Sequence, residues 1–352
     1  MKNLSMAWII AAVLFCGQIV YFTPGINAAE KEMGKTGTEP KTLNVAMMTS
    51  TVVEEPWNSV WVQAMNRIKK EKPHGLDIDY TYIENVQAPD SERILNAFAK
   101  TGKYEIIWAH AACPEAIEKL HKKYPEILWV MGSTGFHPVG ENAYLVGVRV
   151  HEPAYLLGML AGMLTKSNVV SVVASFPYPV VNSPVNAFFE GAKAVNPKIK
   201  PVMTYIESWF DPTKAKEAAL AQIAAGSDFV YAERFGPFEA AKEKSVLAFG
   251  HFMDQHDLAP DVVVSSTEAY WDPIIRYLID EWWNHITKDI PYNAPMETVV
   301  FGMKDGGAGI TPFYGFDDKI PAEVKKKVEQ ATQNIKEGKL VVPYRPEKFG
   351  SN

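Results

Sequence analysis

A chain of 352 residues, 47% of them hydrophobic and 22% charged, has the length of two ordinary domains and the composition of a globular protein. Its net charge is −6 and no Lys/Arg run exceeds three residues. Nucleic-acid binders usually carry a basic face, so a partner held through its phosphate backbone is not expected.

The N-terminus differs in kind from the rest. Lys2 precedes an apolar run from Ala7 to Phe22 that only Gln18 interrupts with a polar side chain. A basic start and a short apolar stretch are the pattern of a secretory signal, here over residues 1–29. A permanent span is the second reading, because it needs about 20 apolar residues. Ala28-Ala29 offers small residues for cleavage. A lipid anchor on Cys16 ranks below cleavage, since the bulky Phe15 precedes it. The protein is therefore expected to be exported, either periplasmic or extracytoplasmic and membrane-associated. Residues 30–41 are polar and read as a flexible tether. Of the two cysteines, Cys16 falls in the signal, which leaves Cys113 alone, with no internal disulfide. Cys113 reads as a small buried hydrophobe rather than a catalytic thiol.

From residue 42 onward strands alternate with helices. Strands are predicted over 43–49, 77–84, 104–109, 127–131 and 143–150, and helices over 57–70, 91–100 and 114–123. A helix over 152–164 carries Gly158 and Gly162; its apolar run is too short to span a membrane, so it is read as packing closely on a sheet. The pattern restarts with a strand at 169–175 and a helix at 182–195. A strand at 202–206 leads to Asp211 and Pro212, an N-cap and a first helical residue, and the Ala-rich helix that follows stops at Gly226. Further strands are predicted at 229–232, 246–249, 262–265 and 297–301, and helices from 237, over 272–283 and over 321–336. The Gly-rich stretch 304–309 follows no phosphate-binding corner and reads as a turn. Such alternation argues for α/β architecture, with parallel sheets and right-handed crossovers.

Catalytic and metal motifs are missing. There is no H-E-x-x-H, G-x-S-x-G, Walker-type or G-x-G-x-x-G sequence, and no two of the eight histidines stand at ligand spacing. No cofactor is expected. What remains are aromatic and polar residues at the carboxyl ends of strands, where open α/β sheets bind ligands. They are Glu54, Trp57 and Asn58 in the first corner, His110, then Phe176 and Tyr178, Trp209 in the central corner, Glu233, Asp254 and Trp271. Rings of this kind stack on a flat ligand, and carboxylates, amides or imidazole read its edge. Core packing is the competing reading for each tryptophan, a structural role for His110, and helix capping for Asp211.

Several of these residues form a pattern. Glu54-Glu55-Pro56-Trp57-Asn58, then Ala187-Phe188-Phe189-Glu190-Gly191-Ala192-Lys193-Ala194-Val195-Asn196-Pro197, Ser208-Trp209-Phe210-Asp211-Pro212 and Phe301-Gly302-Met303-Lys304-Asp305-Gly306 together resemble the basic membrane protein family of PnrA-like substrate-binding proteins of ABC transporters. The resemblance spans residues 42–315. It implies a type I periplasmic-binding fold, with two Rossmann-like lobes, parallel sheets and a three-stranded hinge. The lobes would comprise residues 42–149 plus 269–290, and residues 150–268 plus 291–352. It also implies a monomer that captures a small molecule, typically a purine nucleoside, and passes it to a membrane permease. Trp209 would stack on the base, and the first corner would contact it from the other lobe.

Two departures from the family pattern bear on the ligand. Its G-x-D-x-D-Q is here Gly250-His251-Phe252-Met253-Asp254-Gln255, and its lysine after the next strand is absent from Ser265-Ser266-Thr267-Glu268-Ala269-Tyr270. Loss of groups expected to serve a ribose favours a free purine base over a nucleoside. A nucleoside ligand, a ligand-sensing surface lipoprotein without a transporter and an enzyme acting on nucleosides are the competing readings.

Overall fold

The computed structural model describes residues 39–350 apart from 111–113 and 134–135. The expected signal, the tether up to residue 38, Cys16 and Cys113 lie outside the described residues. No described helix is long and apolar enough to cross a membrane.

The alternation builds two sheets of six strands with matching order. The first contains β1 (Thr42–Thr49), β2 (Asp77–Ile83), β3 (Ile106–His110), β4 (Leu128–Gly132), β5 (Ala143–Val148) and β11 (Val299–Phe301), ordered β11-β5-β4-β3-β1-β2. The second contains β6 (Val169–Ala174), β7 (Lys200–Tyr205), β8 (Phe229–Ala232), β9 (Leu247–Gly250), β10 (Val263–Ala269) and β12 (Ala308–Ile310), ordered β12-β10-β9-β8-β6-β7. Among the described residues every pairing of these strands is parallel except β10 with β12. Strands β3, β4 and β5 are buried along their whole length, as central parallel strands must be, which explains their apolar sequences, broken only by His110 at the end of β3. In each lobe the strand order reverses beside the first strand, between β1 and β3 and between β6 and β8. Ligands of open α/β sheets bind at such points.

The chain crosses between the lobes three times. The crossings follow β5, β10 and β11, and they lie together: the Arg149 amide donates to the Phe301 carbonyl at 2.9 Å, and the Tyr270 amide to the Gly307 carbonyl at 2.8 Å. One expected boundary moves. The resemblance places residues 291–301 in the second lobe, but β11 pairs with β5, Val299 opposite Val146, so the chain returns only after Phe301. A three-residue edge strand carries too little pattern to show which sheet it joins. The Gly-rich stretch also differs from expectation: after the turn, residues 308–310 form β12, antiparallel to β10.

Helix α4 (His151–Leu164) packs on β10 and β12 of the second sheet, as expected, and more extensively on another helix, α5 (Pro179–Val195). A Cβ on Gly158 would stand 1.9 Å from the Phe188 carbonyl oxygen, and one on Gly191 2.0 Å from that of Tyr155. The small residues thus let two backbones touch inside a globular lobe.

Candidate ligand-binding site

The first corner joins β1 to helix α1 (Pro56–Glu71). Its N-cap is Glu55, whose Oε2 accepts from the Trp57 amide at 3.0 Å, while Glu54 is exposed. The expected carboxylate is therefore off by one residue. Capping requires the position next to Pro56, and that turns Glu55 inward. Asn58 is buried and donates to Thr51 Oγ1 and to the Val52 carbonyl, each at 2.8 Å, and it accepts from the Thr49 hydroxyl at 2.8 Å. It shapes the loop and also borders the cavity.

The Trp57 ring lies flat against His110 (5.2 Å between centroids, 16° between planes) and edge-on to Trp271 (5.0 Å, 75°). His110 is fully buried, and its Nε2 donates to the Trp57 carbonyl at 3.1 Å, which leaves Nδ1 without a proton and, among the described residues, without a partner. Burial pushes this imidazole down to about 4, so it is neutral at physiological pH. Trp271 is fully buried behind Trp57 and does not reach the cavity. His110 and Trp271 form a backing for the first-lobe indole.

The second corner joins β7 to helix α6 (Pro212–Ala224), capped by Asp211, which accepts from the Lys214 amide at 2.9 Å. Trp209 in the loop is 38% exposed. Its ring neighbours are Tyr178 (5.8 Å, 20°) and Phe176 (5.1 Å, 55°), and the Arg234 guanidinium lies 5.3 Å from its centroid. Phe176 supports these rings from behind, and Tyr178 lines the cavity.

Between the corners stands a group of charges. Arg234, just past β8, donates from Nε and Nη2 to Glu233 (2.9 and 2.6 Å) and from Nη1 to Glu55 Oε1 at 2.7 Å. The last bond crosses from one lobe to the other. All three side chains are buried, and Glu233 also accepts from the Ser175 amide at 2.9 Å. Burial raises the Glu55 carboxyl above its usual range against the opposing pull of Arg234. A guanidinium shared by two carboxylates makes directional, charge-assisted bonds in a setting where loss of any member would strand the others.

These elements enclose a cavity of about 330 Å³ between the lobes. Of the residues expected at the site, Trp57, Asn58, Tyr178, Trp209 and Glu233 border it. Glu54, His110, Phe176, Asp254 and Trp271 do not. Asp254 lies at the surface, where it accepts from the His256 amide at 3.0 Å and from the Tyr314 hydroxyl. Phe252 takes the inward place instead, with φ +67° and its ring 4.9 Å from that of Trp57 across the lobes. The sequence reading also missed Glu55, Arg234, His151 and Tyr344 at the cavity wall. Arg234 had a signal, adjacency to Glu233 at a strand end; Tyr344 had none. Among the described residues no cluster of His, Cys, Asp or Glu is arranged to hold a metal ion.

The family model for "ABC transporter substrate-binding protein PnrA-like" matches residues 42–345. The chain belongs to this family. Accordingly, this PnrA-like protein is the solute-binding component of an ABC importer, not an enzyme, and its partners are a small molecule and a permease. It is 26% identical to a purine-binding protein of Brucella abortus over 81% of this chain and 79% of the relative. It is 30% identical to a putative ABC transporter glucose-binding protein of Haloferax volcanii over 65% of this chain and 59% of that one. A solved ABC transporter solute-binding protein from Conexibacter woesei shares the fold, with a TM-score of 0.66 at 18% identity, over 86% of this chain and 99% of the other.

Proposed function

We propose that this PnrA-like protein takes up a purine-type ligand, a free nucleobase in preference to its nucleoside, and delivers it to the permease from the extracytoplasmic side. One observation carries the reading: Trp57 of the first lobe and the half-exposed Trp209 of the second border the same cavity. Flat rings on two lobes suit a planar heteroaromatic ligand, and hydroxyls of Thr49, Ser50, Thr51 and Ser183 on the same walls suit its polar edge. The Brucella relative's description as purine-binding supports the class of ligand.

The preference for a base rests on the groups that would otherwise serve a ribose. Phe252 faces the cavity where the family pattern has a carboxylate, and Asp254 faces solvent. Glu233 and Glu55 are both engaged by Arg234. A ribose would bury hydroxyls with few partners, which is costly. Calorimetric titration of the purified protein with hypoxanthine, adenine, inosine and D-glucose tests this. Hypoxanthine or adenine should bind most tightly. Inosine held about tenfold more tightly than hypoxanthine would overturn the base preference, and D-glucose held best would overturn the purine reading.

A further inference from the structure

Beyond helix α9 (Ala322–Lys336) the chain runs without regular structure back to the cleft. Two buried asparagines of α5 hold it there by its carbonyls. Asn186 Nδ2 donates to Arg345 O at 3.0 Å and to Glu347 O at 2.9 Å, and Asn182 Nδ2 donates to Pro346 O at 2.8 Å. Positions four apart share a helix face, so the two amides point to the same strap. Asn182 Oδ1 in turn accepts from the Tyr205 hydroxyl at 2.7 Å, and Phe349 packs on Phe189 with 4.6 Å between centroids. On the other side of Tyr344, Val342 is buried and its backbone lies beside the His151 ring. The backbone on both flanks of Tyr344 is therefore held, while its ring stays half-exposed. Its ring borders the cavity and meets His151 edge-on at 5.6 Å and 71°. His151 opens α4 directly after the first crossing, whose Val148 and Val150 line the same end of the cavity.

We infer that this C-terminal strap is a working wall of the ligand site, with Tyr344 as a specificity-determining contact that shortens the cavity at its hinge end. The inference rests on the interlobe cavity being the ligand site. Apolar covering alone does not call for buried amides; directed bonds to three successive carbonyls hold the backbone that carries Tyr344 against the cleft. A tyrosine held this way by its backbone, with its ring 46% exposed at the cavity, presents an aromatic face with only two side-chain torsions to order on binding. It limits ligand length at that end, so a base whose sugar would have to point there fits better than its nucleoside.

The test compares wild type with Tyr344→Ala, Tyr344→Phe, Asn186→Ala and Trp209→Ala, using hypoxanthine, inosine and D-glucose as probes and a melting curve for each protein. Tyr344→Ala should weaken hypoxanthine about tenfold and inosine clearly less, with the melting temperature nearly unchanged, while Tyr344→Phe keeps the wild-type ratio. Asn186→Ala should shift the ratio the same way, with faster amide exchange over residues 342–349. A general loss of packing would weaken both probes together and lower the melting temperature; that result overturns the inference. So does hypoxanthine binding untouched by Tyr344→Ala but lost in Trp209→Ala, which would leave the purine reading standing. If only D-glucose binds, the purine reading fails, and the strap stands if Tyr344→Ala weakens the sugar about tenfold and falls if it does not. A wild-type protein that binds none of the probes sinks both.

Discussion

Trp57 and Trp209 are the indoles of two βα corners facing one cavity, yet they are held in different ways. Trp57 is wedged among His110, Trp271 and, from across the cleft, Phe252, with its amide tied to Glu55. Trp209 sits in a loop against Tyr178, Phe176 and the Arg234 guanidinium and keeps 38% of its surface open. The first is a packed, fixed wall of the cavity; the second keeps room to move. Glu55 and Arg234 link the two, so the clasp that joins the lobes also touches both aromatic corners. Solute-binding proteins of this architecture work by hinge closure, and the contrast separates the fixed half of the site from the adjustable half.

The sharpest way to break this contrast is to remove the clasp. Arg234→Met leaves two buried carboxylates without a cation and should cost about 3–5 kcal/mol of stability, read from urea unfolding. Combining it with Glu55→Gln should recover part of that loss, since one stranded charge disappears. An Arg234→Met protein as stable as wild type would deny the clasp any structural role. Trp57→Ala should come next, lowering stability by about 3 kcal/mol and ligand affinity with it, because the ring belongs to a packed cluster.

Acid sharpens the same half of the comparison. Burial holds the His110 and His151 imidazoles down to about 4, against 6.5 when unfolded, with the Arg149 charge adding to the effect on His151. The unfolded chain therefore binds more protons in that interval, and stability should fall as pH drops from 6.5 toward 4. His110 alone contributes on the order of 3 kcal/mol. The Glu55 carboxyl, raised by burial, works in the opposite direction and offsets part of the loss. Urea titrations at stepped pH should show a flatter slope for His110→Gln; an unchanged slope would remove His110 from the account.

The second corner should respond in binding rather than in stability. Trp209→Ala should weaken a purine base by about 1–3 kcal/mol while the unfolding midpoint hardly moves. A large drop in stability would mean that Trp209 is packed as firmly as Trp57 and would erase the distinction. Smallest of all, Asp211→Ala removes only a helix cap and should cost about 1 kcal/mol, with affinity nearly intact.

Much of this was legible in the residues themselves. Strand β8 follows from Phe229-Val230-Tyr231-Ala232, and the start of α6 from Asp211-Pro212, because a strand needs only its apolar run and a helix start only its cap. The recurrence of aromatic residues after strands pointed to Trp57, Tyr178 and Trp209, all at the cavity. The misses share one cause. Glu54 and Glu55 are chemically the same, and only the capping geometry decides which turns inward. Trp271 and Asp254 also sit just past strand ends, but one is covered by distant rings and the other turns to the surface beside Tyr314.

The order of elements, the aromatic tips of the corners and the family membership are properties of the linear chain, since each depends on residues that are neighbours in sequence. Which lobe β11 joins, the bond from Arg234 to Glu55 across 179 positions and the return of Tyr344 to the cleft are decided by tertiary structure alone. Local periodicity specifies an element and the face it buries. It carries no information about which remote segment will cover that face, and the interlobe cavity is formed wholly from such meetings.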